Sequence, residues 1–325
     1  MNFLKFVLTV IKNLVKNVHY LGQYDLSKAI IPSVRDNYNE LQQSLFHTRK
    51  TILCQYYKNH PEYAQKYQKE LEYLQTTNNI DPFPYPTIKT CNHIKAEIDN
   101  TCHMPFVWHK GKKLYLPKGW KIEQAIKYYI RFIERENILE DGYTPKAPHL
   151  YQSSTIKVDE NDIVIDAGAA EGLFALDVID KAKSIFIFEV EKIWLDALKK
   201  TFDPYKDKVK IIPKYLSFED SKTSITLNSL FANTTNESFF IKMDIEGAEE
   251  NVLSRNQDFF SSTNAIKVSC CTYHRENHEK SIPQLLKNLN YHTEFSEGYM
   301  IFYWDTVFNE PFFRKGLVRA TNITQ

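Results

Sequence analysis

Short apolar runs recur from residue 156 onward, separated by stretches whose apolar positions repeat at helical spacing. "DIVIDAG", "SIFIFEVE", "VKIIP", "FFIKMDI", "AIKVSCCTYH" and "YMIFYW" each have the length and content of a buried strand. "LFALDVIDKA", "EKIWLDALKKTF" and a segment through "SFEDSKTSITLNSL" separate the first four and read as helices. Strands alternating with helices imply an α/β fold, a mostly parallel sheet with helices on both faces.

The N-terminal part has a different pattern. Residues 33–77 are helical: Pro32 and Ser33 start one helix, and "PEYAQKYQKELEYLQ" starts another with Pro61 at its first position. Tyr63, Tyr67, Leu71 and Leu74 form a stripe that belongs to a core. Residues 78–105 hold Pro82, Pro84 and Pro86 with little periodicity, as a linker or irregular loop does. "FVWHKGKKLYLPKGW" reads as a hairpin turning at Lys110-Gly111, "KIEQAIKYYIRFIEREN" as an amphipathic helix, and "DGYTPKAPHLY" as a loop. Residues 1–18, "MNFLKFVLTVIKNLVKNV", are apolar with Lys5, Lys12 and Lys16 interspersed, too charged for a signal peptide or a transmembrane segment of about 20 residues. They predict an amphipathic helix that packs on the protein or a second subunit, a homo-oligomer through the N-terminal helices being one expectation and a membrane surface the alternative.

Charge narrows the partners. With 41 Lys+Arg against 40 Asp+Glu the formal net charge is +1, without the broad basic field of a nucleic-acid binder. Cys54, Cys91, Cys102, Cys270 and Cys271 form no CxxC pair, which suits a reducing, cytoplasmic setting and lacks zinc-ligand spacing. Cys270 and Cys271 read as sheet packing.

Candidate chemistry lies at the strand ends. The chain has nine glycines, and Gly168, Gly172 and Gly247 stand beside acids there, where the backbone must turn tightly or approach a ligand. In "VIDAGAAEG", Asp166, Gly168 and Gly172 make a D-x-G-x-x-x-G loop, unlike the G-x-G-x-x-G that holds a diphosphate. An acid in that loop suits an ammonium group or hydroxyls; a plain tight turn is the alternative. Glu189 ends the second strand, where an acid can accept two hydrogen bonds from a ribose diol or satisfy a helix dipole. Lys242, Asp244 and Glu246 share one side if the fourth strand persists that far. Glu249 and Glu250 read as helix-dipole acids.

These motifs together resemble a class I S-adenosylmethionine-dependent methyltransferase, and "VIDAGAAEG" with "IKMDIEGAE" resembles the FkbM-type family. The resemblance covers about residues 145–325; "APHLY", "CTYHR" and "PFFRKGLVRA" are similar to features of one branch. It implies a Rossmann-like core over about 145–325 within a methyltransferase domain at 106–325, which the helices and linker read from the pattern of residues 1–105 precede. It implies S-adenosylmethionine as cofactor, S-adenosylhomocysteine as product, and methyl transfer to oxygen of a sugar or nucleotide-linked sugar, as in capsule polysaccharide biosynthesis. Asp166, Gly168, Glu171, Gly172, Glu189, Tyr151 and Asp244 are the expected cofactor residues. Asp244 would orient the sulfonium, act as base, or hold a divalent metal with Glu246. His274 is the expected general base, since a neutral imidazole suits a sugar hydroxyl. Glu246, Arg275, Arg314 and His149 are expected at the substrate, and Arg319 is a further anion grip. Asn228 stands where the family usually has Asp, so no charge-dependent role is carried to it. A small natural product as acceptor and a noncatalytic cofactor-binding scaffold are the competing readings.

Overall fold

The computed structural model describes residues 32–78, 80–86, 94–136, 138, 147–303 and 308–323. The helix expected over 1–18 and most of the loop before the first strand lie outside them. The chain divides into two units, Met1–Tyr85 with Ile301–Phe313, and Pro86–Met300 with Arg314–Gln325. The expected division after residue 105 is thus drawn differently, after Tyr85, and a C-terminal segment belongs to the first unit.

In the first unit, α1 (Pro32–Asn59) is followed by α2 (Pro61–Ala64), a 3₁₀ turn over Gln65–Tyr67 and α3 (Gln68–Thr76). Tyr67 and Leu74 are buried as the stripe predicts, but Tyr63 is 55% exposed. The tighter 3₁₀ turn rotates what precedes it relative to α3, so Tyr63 leaves the buried face. Tyr57 and Tyr67 pack on Phe313, with ring centroids 5.5 and 4.6 Å apart.

The second unit begins with an antiparallel sheet of three strands, β1 (Ala96–Ile98), β2 (Pro105–His109) and β3 (Lys112–Tyr115). The turn between β2 and β3 has positive φ at Lys110 and Gly111, +47° and +81°, the sign pattern of a hairpin turn whose twist matches the strands. β1 lies within the stretch read as irregular; at three residues it is too short to show a period. α4 (Ile122–Ile130) continues into a π turn over Arg131–Arg135.

Seven strands make the main sheet: β4 (Asp162–Ala167), β5 (Ser184–Phe188), β6 (Val209–Ile212), β7 (Ser238–Met243), β8 (Ala265–Cys271), β9 (His292–Phe295) and β10 (Leu317–Thr321). Their order is β9-β10-β8-β7-β4-β5-β6, and only β10 runs antiparallel to its neighbours. Residues alternate between the faces. Ile163, Ile165, Phe239, Ile241, Ile266 and Val268 meet the helices α8 (Glu249–Arg255), α9 (Gln257–Phe260) and α10 (His278–Asn288), which follow the four-residue α7 (Leu227–Leu230). On the other face Phe240 meets Phe174 of α5 (Leu173–Val178), and α6 (Lys192–Phe202) follows β5.

"YMIFYW" is not a strand of this sheet; Met300–Ile301 is a two-residue strand outside it, and the antiparallel strand is β10. Its charged residue hid it. Arg319 is buried in β10 because Glu294 Oε1 and the carbonyls of Leu150 and Gln152 accept from its guanidinium. That is a structural role, not the anion grip expected of Arg319. No helix among the described residues is long and apolar enough to cross a membrane.

Candidate active site

The sheet order reverses between β4 and β7, and in such sheets ligands bind beyond the carboxyl ends of the strands at this point. Asp166 of β4 and Lys242 of β7 face each other in register there. Both are buried, with Lys242 Nζ 3.0 Å from Asp166 Oδ1 and donating to the Gly168 carbonyl at 2.6 Å. Burial opposes the ammonium charge, but Asp166 and then Asp244 outweigh it and raise the Lys242 pKa. Asp166 Oδ2 is buried and has no hydrogen-bond partner among the described residues.

The glycine loop turns here for internal reasons. Gly168 has φ +73°, and a Cβ on it would lie 1.9 Å from the Asp244 carbonyl oxygen. Gly172 has φ +81°, and its Cβ would meet Leu198 and Phe202 of α6 at 2.6 and 2.9 Å. Both positions exclude side chains because protein atoms come close. Glu189 reaches the same loop: its Oε2 accepts from Ala170 N–H, and its Oε1 accepts from Val190 and Glu191 N–H, each at 2.7 Å. A carboxylate has about four acceptor sites. Oε1 is therefore filled and one lone pair remains on Oε2, so this arrangement offers a ribose one hydrogen bond, not two. Glu171 accepts from Tyr128 Oη of α4 at 2.7 Å, and burial pushes its pKa up to about 7 against that bond.

Asp244 follows the last residue of β7, held by its N–H to the Ala167 carbonyl. Tyr151 Oη donates to Oδ2 at 2.9 Å, Tyr273 Oη donates to Oδ1 at 3.2 Å, His149 Nε2 lies 3.6 Å from Oδ2, and His274 Nε2 lies 3.3 Å from Oδ1. Burial opposes its charge, yet His274, His149 and Lys242 hold it well below the ordinary carboxylate range. The two imidazoles are in opposite states. Burial, with Lys242 and His274, pushes His149 down to about 4 against the pull of Asp244. Burial also works against charge on His274, but the Glu249 hydrogen bond and the charges of Asp244, Glu249 and Glu246 push it up to about 9. His274 is therefore cationic at pH 7 in this structure, not the neutral imidazole expected from sequence.

The strand order, with its switch point between β4 and β7, makes the fold Rossmann-like. No family model and no curated protein matches the chain. Among solved structures, Methyltransferase FkbM from Methylobacillus flagellatus KT aligns with 63% of this chain and 56% of that chain, at 16% identity and TM-score 0.41. Precorrin-6y C5,15-methyltransferase from Geobacter metallireducens GS-15 aligns over 52% and 82%, at 11% identity and TM-score 0.34. SMU.1697c from Streptococcus mutans, in complex with SAH, aligns over 52% and 92%, at 13% identity and TM-score 0.34. The aligned part spans just over half the length of the FkbM structure.

On this fold several of the expected residues are engaged with other partners. β7 ends at Met243, so the alternation that would bring Glu246 beside Asp244 stops. Glu246 adopts φ +57° with a side chain 92% exposed, 4.0 Å from His274 Nε2. Among the described residues, the groups of three close enough to share a metal ion are Asp244, Glu249 and His274, and His149, Asp244 and Cys271. Arg275 is exposed and packs over Gly247, while Arg314 Nη1 donates to the Tyr273 carbonyl at 2.7 Å. Asn228 Oδ1 accepts from Phe259 N–H at 3.0 Å, joining α7 to α9. Cys270 and Cys271 are buried and burial raises their pKa, so both remain thiols.

Sequence reasoning assigned no role to Tyr273 or Tyr128. It limited Glu249 to the helix dipole, whereas that carboxylate is buried with Oε1 2.8 Å from His274 Nδ1. "CTYHR" marked the place of Tyr273; nothing in spacing alone folds Glu249 back onto His274.

The donor set fits S-adenosylmethionine. Asp166, Asp244 and Glu189 are three carboxylates against two cations, Lys242, buried in its ion pair with Asp166, and His274 beside Asp244. An excess of carboxylates favours a cationic group and hydroxyls over a diphosphate.

Proposed function

We propose that this chain is an FkbM-type S-adenosylmethionine-dependent O-methyltransferase whose acceptor is a hydroxyl of a sugar or nucleotide-linked sugar. The observation that carries the reading is Asp244, anionic and ringed by Tyr151, Tyr273, His149 and His274 at the sheet's switch point. The sugar rests on the sequence resemblance alone.

Bound S-adenosylmethionine would supply an electrophilic methyl group on a sulfonium. Glu189 would take a ribose hydroxyl with its remaining lone pair, and Asp166 and Gly168 would hold the glycine loop beside it. Asp244, kept ionised and oriented by two tyrosine hydroxyls, would hold the positive charge of the sulfonium. His274 Nε2 is placed to take the acceptor's proton, a contribution of roughly 10²–10⁴-fold. It does so from the neutral form, which the Asp244 and Glu249 charges make scarce below pH 9. His149, buried and neutral, orients Tyr273 through a 3.2 Å contact to its hydroxyl. Holding acceptor and methyl group in line supplies several kcal/mol more.

The test is calorimetry with S-adenosylmethionine and S-adenosylhomocysteine, followed by S-adenosylhomocysteine release from a panel of sugars and nucleotide sugars. Binding with acceptor-dependent release is expected. Absence of binding removes the methyltransferase reading; binding with release only from acceptors without a sugar removes the substrate class.

A further inference from the structure

We propose that Glu249 is the positioning residue of His274: it locks the imidazole with Nδ1 protonated and presents Nε2 alone to Asp244 and the acceptor. The inference rests on the reading of His274 as proton acceptor, but its first test does not.

Backbone geometry delivers the carboxylate. Beyond Met243 the chain reverses through Glu246 and Gly247, at φ +57° and +97°, and Glu249 opens α8 beneath the end of β7. Its Oε1 accepts the Ile245 N–H at 3.0 Å and lies 2.8 Å from His274 Nδ1. The Ile245 bond ties the carboxylate to the main chain, so it cannot follow the ring if the ring turns. An ionised carboxylate only accepts hydrogen bonds, so at 2.8 Å the imidazole nitrogen must be the donor. Nδ1 therefore keeps its hydrogen whether His274 is neutral or charged, and proton exchange is confined to Nε2.

Burial makes the arrangement consequential. Glu249 has no exposed surface, and a buried carboxylate is tolerated only when paired and hydrogen-bonded. Its other oxygen, Oε2, has no hydrogen-bond partner among the described residues; His278 Nδ1 is 3.7 Å away. A charge that served the helix dipole alone would sit in solvent at the first turn, as such acids usually do. The spacing in "DIEGAE" thus encodes two carboxylates on one imidazole: Asp244 at Nε2 and Glu249 at Nδ1.

The first experiment uses ¹⁵N-edited NMR of the histidine rings in the full chain, without substrate. His274 is expected as the Nδ1–H tautomer above its pKa, with a hydrogen-bonded Nδ1–H; a neutral His274 carrying its proton on Nε2 overturns the proposal. A His274 signal that changes on chelation also overturns it, because a metal ion then occupies the place assigned to the hydrogen bond. The second experiment compares Glu249→Gln with wild type once methyl transfer is measured. A fall in kcat of about 10²-fold or more, with cofactor affinity within threefold, is expected for a positioning residue. Unchanged kcat with a mixed-tautomer ring overturns the proposal. Full activity in His274→Ala would instead remove the proton-acceptor reading and leave the tautomer result standing.

Discussion

Lys242 Nζ and Asp166 Oδ1 lie 3.0 Å apart across β7 and β4, both buried, at the point where the sheet order reverses. The same ammonium holds the Gly168 carbonyl, so one side chain ties the two strands to the glycine loop. Removing one member of a buried pair strands the other's charge. Lys242→Met is therefore expected to destabilise the protein by roughly 3–5 kcal/mol, measured by urea unfolding, and to abolish cofactor binding. Wild-type stability in that variant would mean the pair is solvated.

The glycines make an ordered prediction. At Gly168 a Cβ meets main-chain oxygen that cannot move without shifting Asp244, whereas at Gly172 it meets the side chains of Leu198 and Phe202. Both residues have positive φ. Gly168→Ala should lower the unfolding midpoint more than Gly172→Ala and should disturb activity even where the protein folds. The reverse ordering in thermal unfolding would place the tight approach at α6 instead.

The raised pKa of His274 has a defined sign. A folded-state pKa of about 9 against the ordinary 6.5 contributes stability that is complete below pH 6.5 and disappears as pH rises through 9. At about 1.4 kcal/mol per unit this is on the order of 3 kcal/mol. Unfolding free energy of wild type minus His274→Ala should fall between pH 6.5 and 9. The ascending limb of kcat/KM, which reports the free protein, should lie near 9, activity rising with pH as His274 becomes neutral, and should vanish in His274→Ala. A limb at 6.5 would show that Asp244 and Glu249 do not act on the ring as placed here.

Glu189 has one acceptor site left for a ligand. Glu189→Ala should weaken S-adenosylhomocysteine binding about tenfold by calorimetry, about 1.4 kcal/mol, through the lost ribose contact and the freed Ala170 amide. Equal affinity would remove the ribose assignment.

In the first unit, Phe313 is buried under Tyr57 and Tyr67. Deleting residues 1–77 takes away both tyrosines and leaves Phe312 and Phe313 to solvent, an apolar exposure that promotes association. Light scattering should show aggregation of the truncated chain, and Phe313→Ser in the same truncation should reduce it. A monodisperse truncated chain would show that these phenylalanines find other cover.

Much of the architecture was written in local pattern. Alternating strands and helices, a hairpin at Lys110-Gly111, a helix start at Pro61, and strand ends carrying Asp166, Glu189 and Asp244 all follow from residue period and turn chemistry, which act over a few neighbours. Tertiary structure decided what those rules cannot reach. β10 is buried although Arg319 interrupts it, because Glu294 and two distant carbonyls satisfy the guanidinium. The strand at Asp244 stops one residue earlier, so Glu246 turns to solvent and Glu249 takes the place beside His274. The charge of His274 belongs to the same class: an imidazole's proton affinity is set by carboxylates that neighbour it in space, and Asp244 and Glu249 reach it only once β7, β8 and α8 are packed together.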